Sequence, residues 1–344
     1  MKLRMPPRNA LAAAALTAVA GLTLTACNGD DKASGTAATS SDMPGMAAGA
    51  HAAGSAVSAL GKYGEDAAGA TFFASVLSGD NEVQVAGKPP VGDKDGSSIA
   101  LMRIQGDEVS FAFTWTGIGT PTLGHIHQGV RGVNGDVKIP FFTEKLPDGK
   151  NYVYGTTKVT DAALLQDIKL QPENFYFNLH TAEFPGGAVR GQVFPLPMKV
   201  SLPGAIRDST LRGVVKGAQV YACTKQDDGS FKFTQDNVAA TLQGGIKHSF
   251  VRPGPAGPPQ WIASDGSAVS GKLLNKLDNG PKNIPELILG AQQTGSHEGL
   301  LSKTQAVLRL STVGGIAPAG TCNPSSQPKA SVPYTADYLF LATK

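Results

Sequence analysis

Short runs of β-forming residues, each broken by glycine, proline, asparagine or aspartate, govern what this chain can fold into. "TFFASVLSG", "SSIALMRI", "EVSFAFTWTGI", "VKIPFFT" and "YVYGTTKV" succeed one another between residues 71 and 159. Their aromatic and β-branched side chains fit a pleated surface, and turn residues at this spacing leave little room for long helices. "RIQGDEVSF" reads as a hairpin turning at Gly106-Asp107. Beyond residue 204 the texture resumes in "AQVYACT", "SFKFT", "QWIASDGSAVSGKLL", "AVLRLST" and "ADYLFLA", without a repeat between the halves. With 42 glycines, 23 prolines and only 17% charged residues, the expectation is an all-β chain. Its length suits two β-sandwich-like domains of antiparallel strands, at 69–197 and 205–344, meeting at "PLPMKVSLPG". One short helix is expected in the first, with Thr160 capping "DAALLQDIKL" and Pro172 blocking its continuation.

The N-terminus carries a different signal. Lys2, Arg4 and Arg8 precede an apolar run over residues 10–24, long enough for a signal peptide and short for a membrane span. The run ends in Leu24-Thr25-Ala26-Cys27, which resembles the lipobox of bacterial lipoproteins. That resemblance implies cleavage of residues 1–26, acylation of Cys27, and anchoring on the outer face of the cytoplasmic membrane. An ordinary secretory signal with a chance cysteine is the alternative. Residues 27–68 are rich in Ala, Gly, Ser and Thr and read as a flexible tether; Met43, Met46 and His51 within it suit copper(I) but are expected to be incidental.

Charge excludes one class of partner. Residues 1–26 hold three basic and no acidic residues, so 30 Lys+Arg against 27 Asp+Glu becomes 27 against 27 after cleavage. A neutral chain without a basic run offers nothing for phosphates, so no nucleic-acid partner is expected. With Cys27 lipidated, Cys223 and Cys322 remain, and an exported chain most simply pairs them. Two buried free thiols or a two-cysteine metal site are the alternatives.

Three histidines carry the candidate chemistry. Residues i and i+2 of a strand share a face, so His125 and His127 of "GHIHQ" point one way and Ile126 the other. In "FYFNLH", Phe175, Phe177 and Leu179 form the apolar face, while Tyr176, Asn178 and His180 form the polar one. If these strands are neighbours, three imidazoles converge on a site competent for copper or zinc. Equally, histidines beside glycine turns hydrogen-bond backbone carbonyls and lock loops. Arg190 would then pair with a carboxylate such as Glu183 or Asp136.

Both histidine blocks, "GHIHQGVRGVNGDVKIPFF" and "NFYFNLHTAEFPGGAVRGQVF", resemble the CHRD (chordin-type) domain, with its Gly/Ala-His-Ile-His, Asn-x-His-Thr and Gly-Gly-x-x-Arg-Gly-Gln segments, over about residues 70–196. The resemblance implies an extracellular module. H-x-H on a sandwich strand followed by an arginine is also similar to copper/zinc superoxide dismutases, which would make Arg190 an anion-steering residue. Three histidines fall short of a dismutase's ligand set, so at most a degenerate site is implied. From Tyr221-Ala222-Cys223 through "WIASDGSAV", "IPELILGA" and "LRLSTVGGIAPAGTC", the second half resembles an uncharacterised secreted domain over about 205–342, which implies a Cys223–Cys322 pair. It departs at "KHSFVRPGPAGPPQW", which loosens any role for His248.

No nucleophile elbow, phosphate loop, dinucleotide fingerprint or H-E-x-x-H segment is present. Asp265 and Ser267 of "SDGS" read as turn residues, and Trp261 and Tyr338 as core or groove aromatics. No catalytic residue is therefore expected. The sequence points to a non-enzymatic, lipid-anchored surface protein binding an extracellular protein or cell-wall polymer, or alternatively to a copper- or zinc-binding lipoprotein.

Overall fold

The computed structural model describes residues 69–255 and 257–344, together with the backbone of Ala56 and Val57. The signal segment, Cys27 and the rest of the tether lie outside the described residues. Strands dominate. The first half is one antiparallel sheet of β1 (Ala56–Val57), β2 (Thr71–Ser78), β3 (Ser97–Gln105), β4 (Glu108–Thr116), β5 (Pro121–Gln128), β6 (Val137–Phe142), β7 (Tyr152–Lys158), β8 (Phe175–Thr181), β9 (Val189–Gln192) and β10 (Phe194–Leu196). The order is β1-β7-β4-β3-β2-β9-β8-β5-β6, with β10 also pairing β2. Gly106-Asp107 makes the two-residue turn between β3 and β4, with Gly106 at φ +58.

This sheet closes over its own core. Phe111 on β4 lies 4.7 Å from Phe141 on β6, and Phe113 lies 5.8 Å from Phe177 on β8, so its two halves face each other as in a sandwich. The helix α1 (Ala162–Leu170) packs Leu165 and Ile168 into the same core. Its cap is Asp161, whose carboxylate accepts from the Leu164 amide, rather than Thr160; Pro172 follows in a 3-10 turn.

The second half differs from the expected sandwich. A further helix, α2 (Leu202–Asp208), begins at the end of the segment read as a boundary, with Pro203 in its first turn, where no amide partner is needed. Then β11 (Thr210–Lys225), β12 (Phe231–Leu242), β13 (Lys247–Phe250), β14 (Pro259–Ile262), β15 (Ala268–Leu277), β16 (Glu286–Gln293), β17 (Ala306–Gly314) and β18 (Lys329–Leu341) form a closed antiparallel barrel. Pairing of β11 with β18 closes it. Trp261 and Tyr338 are buried in its core, and His248 stacks on Trp261 at 4.5 Å. Cys223 and Cys322 form a disulfide. Asp265 accepts from the amide and hydroxyl of Ser267, the expected turn.

An apolar layer joins the two halves. Phe72, Val76, Leu101 and Leu196 of the sheet pack with Leu202 and Ile206 of α2 and with Ile288, Leu308 and Leu339 on the outside of the barrel. Thus β2 is buried on both faces, which accounts for the nearly continuous apolar character of "FFASVL", interrupted only by the buried Ser75. Among the described residues, no helix is long and apolar enough to cross a membrane.

Candidate metal centre

Antiparallel pairing of β5 with β8 assembles the site. His125 lies opposite Asn178, Ile126 opposite Phe177 and His127 opposite Tyr176, so both histidines share a face with Asn178 and His180 while Ile126 and Phe177 enter the core. On its other edge β5 has register shifts against β6 on either side of His125-Ile126. Such irregularities re-aim side chains. Gly124 is required by contact: a Cβ there would sit 2.4 Å from the Phe142 ring.

The three rings converge. Their centroids lie 5.6 Å (His125–His127), 5.2 Å (His125–His180) and 6.3 Å (His127–His180) apart, and one ring nitrogen from each falls within 4.8 Å of the others. Three nitrogens sharing one ion at about 2.0–2.1 Å stand about 3.3–3.6 Å apart, so an ion would draw the most distant of them together by about 1 Å or slightly more. His127 Nδ1 donates to the Gly135 carbonyl at 3.0 Å, and His180 Nδ1 to the Pro185 carbonyl at 2.9 Å. A carbonyl only accepts, so each proton sits on Nδ1 and each Nε2 keeps its lone pair. Those two Nε2 atoms and His125 Nδ1 are buried without a hydrogen-bond partner. A buried polar atom left unmet is costly, and a shared cation is one way to satisfy such nitrogens.

Burial also sets the protonation state. It pushes His125 down to about 3, with the neighbouring His180 and His127 adding to the fall. It lowers His127 to about 4 against the opposing pull of the Gly135 carbonyl, and lowers His180 against that of Pro185. At neutral pH all three rings are neutral.

The polar face of these strands is largely buried, with His125, Asn178 and His180 each 4% exposed. Residues 129–135 meet it at His127 and Tyr176 and are held from β9. Arg190 donates to the Val130 and Val133 carbonyls at 3.1 and 2.8 Å and to Asn134 Oδ1 at 3.0 Å. Gln192 donates to the Gly129 carbonyl at 2.7 Å. The Arg190 guanidinium also lies 3.5 Å over the Tyr176 ring, whose other neighbour is His127, stacked at 4.8 Å. The structure gives Arg190 a different place from the anion-steering one expected: the residue is 2% exposed, and three of its N–H groups hold the loop. Nor does it pair with Glu183 or Asp136, because the loop carbonyls occupy it.

One role and one residue escape a sequence reading. Tyr176 is the spacer between Arg190 and His127. Glu82 accepts from Asn178 at 3.3 Å, and burial raises its carboxyl to about 7, against the lowering effects of Arg190 and Asn178. Nothing in "GDNEVQ" marks Glu82, since the residue that touches it lies 96 positions away.

With this geometry in place, comparison with known families locates the site. Residues 73–193 match the CHRD domain. All three histidines, Arg190 and Glu82 fall within the CHRD domain, an extracellular type of module. Residues 239–342 match a family described as a protein of unknown function, DUF3455. That match starts within β12, so Cys223 and the "YAC" segment lie ahead of it. No curated protein and no solved structure matches the chain.

Proposed function

We propose that this chain is a lipid-anchored, extracytoplasmic protein whose CHRD domain binds copper or zinc through His125, His127 and His180. One observation carries the reading: a ring nitrogen from each of three largely buried imidazoles lies within 4.8 Å of the others, each ring has a buried nitrogen without a hydrogen-bond partner, and the outer nitrogens of two rings are fixed by carbonyls. Fixed tautomers of this kind orient ligating histidines. Imidazole suits both metals, and three protein ligands leave a position on the ion for a further group. Because Arg190 is committed to the loop, we assign the site to binding rather than turnover. An extracellular type of module agrees with export, with Cys27 as the anchor.

Two experiments test this. Protein starting at Asn28 is loaded with copper or zinc, desalted and analysed for metal beside a His125→Ala/His127→Ala variant. About one metal per chain, lost in the variant, is expected; no metal in either protein refutes the site. For the anchor, Cys27→Ala is expected to release the protein from the membrane and abolish lipid labelling. Unchanged labelling and membrane association would remove that part of the proposal.

A further inference from the structure

The barrel grips the loop that orients His127. The Gly135 carbonyl, at the end of the 129–135 loop, accepts the hydrogen bond from His127 Nδ1. Within the CHRD domain the loop is held by Arg190 and Gln192. From outside it, Glu286 at the start of β16 accepts Arg131 Nη2 on both carboxylate oxygens, at 3.1 and 2.9 Å. The Glu286 side chain is 1% exposed and its Oε1 also takes the Ser311 amide at 2.7 Å. Ser311 lies at φ +51 within the register shift of β17, a backbone geometry that turns its amide out of the ladder and toward Glu286. A carboxylate this deep is stable only when paired and hydrogen-bonded, and its cation comes from the other domain.

We propose that Glu286 is a positioning residue for the three-histidine site, acting through Arg131 and the 129–135 loop. The proposal rests on the metal reading. It makes the barrel part of the site's outer shell: Glu286 fixes Arg131, Arg131 fixes the middle of the loop, and the loop presents the Gly135 carbonyl that sets the His127 tautomer. Loss of an outer partner of a metal ligand weakens affinity about 10–100-fold, and a contact one step further out belongs at the lower end.

The test is copper(II) binding to the purified protein, read as affinity by competition titration and as the electron paramagnetic resonance spectrum of the bound ion. Wild type is compared with Glu286→Gln, Arg131→Gln, Arg131→Lys and Lys303→Gln. The last removes the 3.2 Å ion pair with Asp208, away from the loop. Glu286→Gln and Arg131→Gln are expected to weaken binding about 10-fold and to shift the copper hyperfine splitting. Arg131→Lys restores most of both, and Lys303→Gln behaves as wild type. Wild-type affinity and spectrum in both Gln variants overturn the positioning role and leave the histidine site standing. An equal loss in Lys303→Gln means general loosening and also overturns it. Wild-type protein that binds no copper removes the metal reading, and the proposal with it. If Glu286→Gln does not fold, Arg131→Gln decides, because the Arg131 side chain is 44% exposed.

Discussion

His125, His127 and His180 are neutral in the folded chain because burial opposes charge on each, and that has a pH signature. With His125 held at about 3 and His127 at about 4, both below the ordinary 6.5, unfolding in mild acid takes up protons that the folded state refuses. The stability involved is fully present above pH 6.5 and is lost as pH falls toward 4 and then 3. The slope is at most about 1.4 kcal/mol per pH unit for each ring. Urea midpoints of metal-free protein are expected to fall between pH 7 and 4.5, and His125→Gln/His127→Gln to flatten that fall. An unchanged slope in the variant would refute the depressed values. How far the sequence reveals the site also divides by residue. H-x-H spacing places His125 and His127 on one face, and alternation in "FYFNLH" places His180 opposite the core. The work of Arg190 is invisible there, because its acceptors are carbonyls 56 to 60 positions away and appear only once β9 and the loop are in place.

At the scale of elements, β9 shows why a short strand needs a particular residue. Gly191 lies where β9 meets β2; a Cβ there would fall 2.3 Å from both Ser75 Oγ and the Val76 carbonyl. Gly191→Ala must push the strands apart, and Arg190 and Gln192 move with it. Overpacking of this kind costs about 1–3 kcal/mol. Urea unfolding is expected to show that loss together with faster proteolysis in the 129–135 loop, and wild-type stability would count against the contact. Strands of the first half are legible because alternation and turn residues are local. Closure of the barrel is not, since it depends on β11 meeting β18 across more than a hundred residues. The helix α2 hides for another reason: Pro203 reads as a breaker when seen alone, yet stands in the first turn, the one place where a helix tolerates it.

Across the whole molecule, the disulfide and the apolar layer do different jobs. Cys223 on β11 and Cys322 ahead of β18 are 99 residues apart, and both lie in the barrel half, so the bond limits the unfolded freedom of that half alone. Loop entropy sets its contribution at about 4–5 kcal/mol. Cys223→Ala/Cys322→Ala is expected to lower unfolding free energy by up to that amount; a loss below about 1 kcal/mol would show that the unfolded chain gains little freedom when the bond is removed. The apolar layer, by contrast, joins residues from both ends of the described chain, with Phe72 at one end and Leu341 at the other. A ribosome makes these ends in sequence. The residues of the first sheet are joined to the chain before Ile288, Leu308 and Leu339, which cover its second face in the finished protein. Until they arrive, the newborn half-protein shows a greasy wall to whatever surrounds it, and its safe passage depends on how quickly the rest of the chain follows.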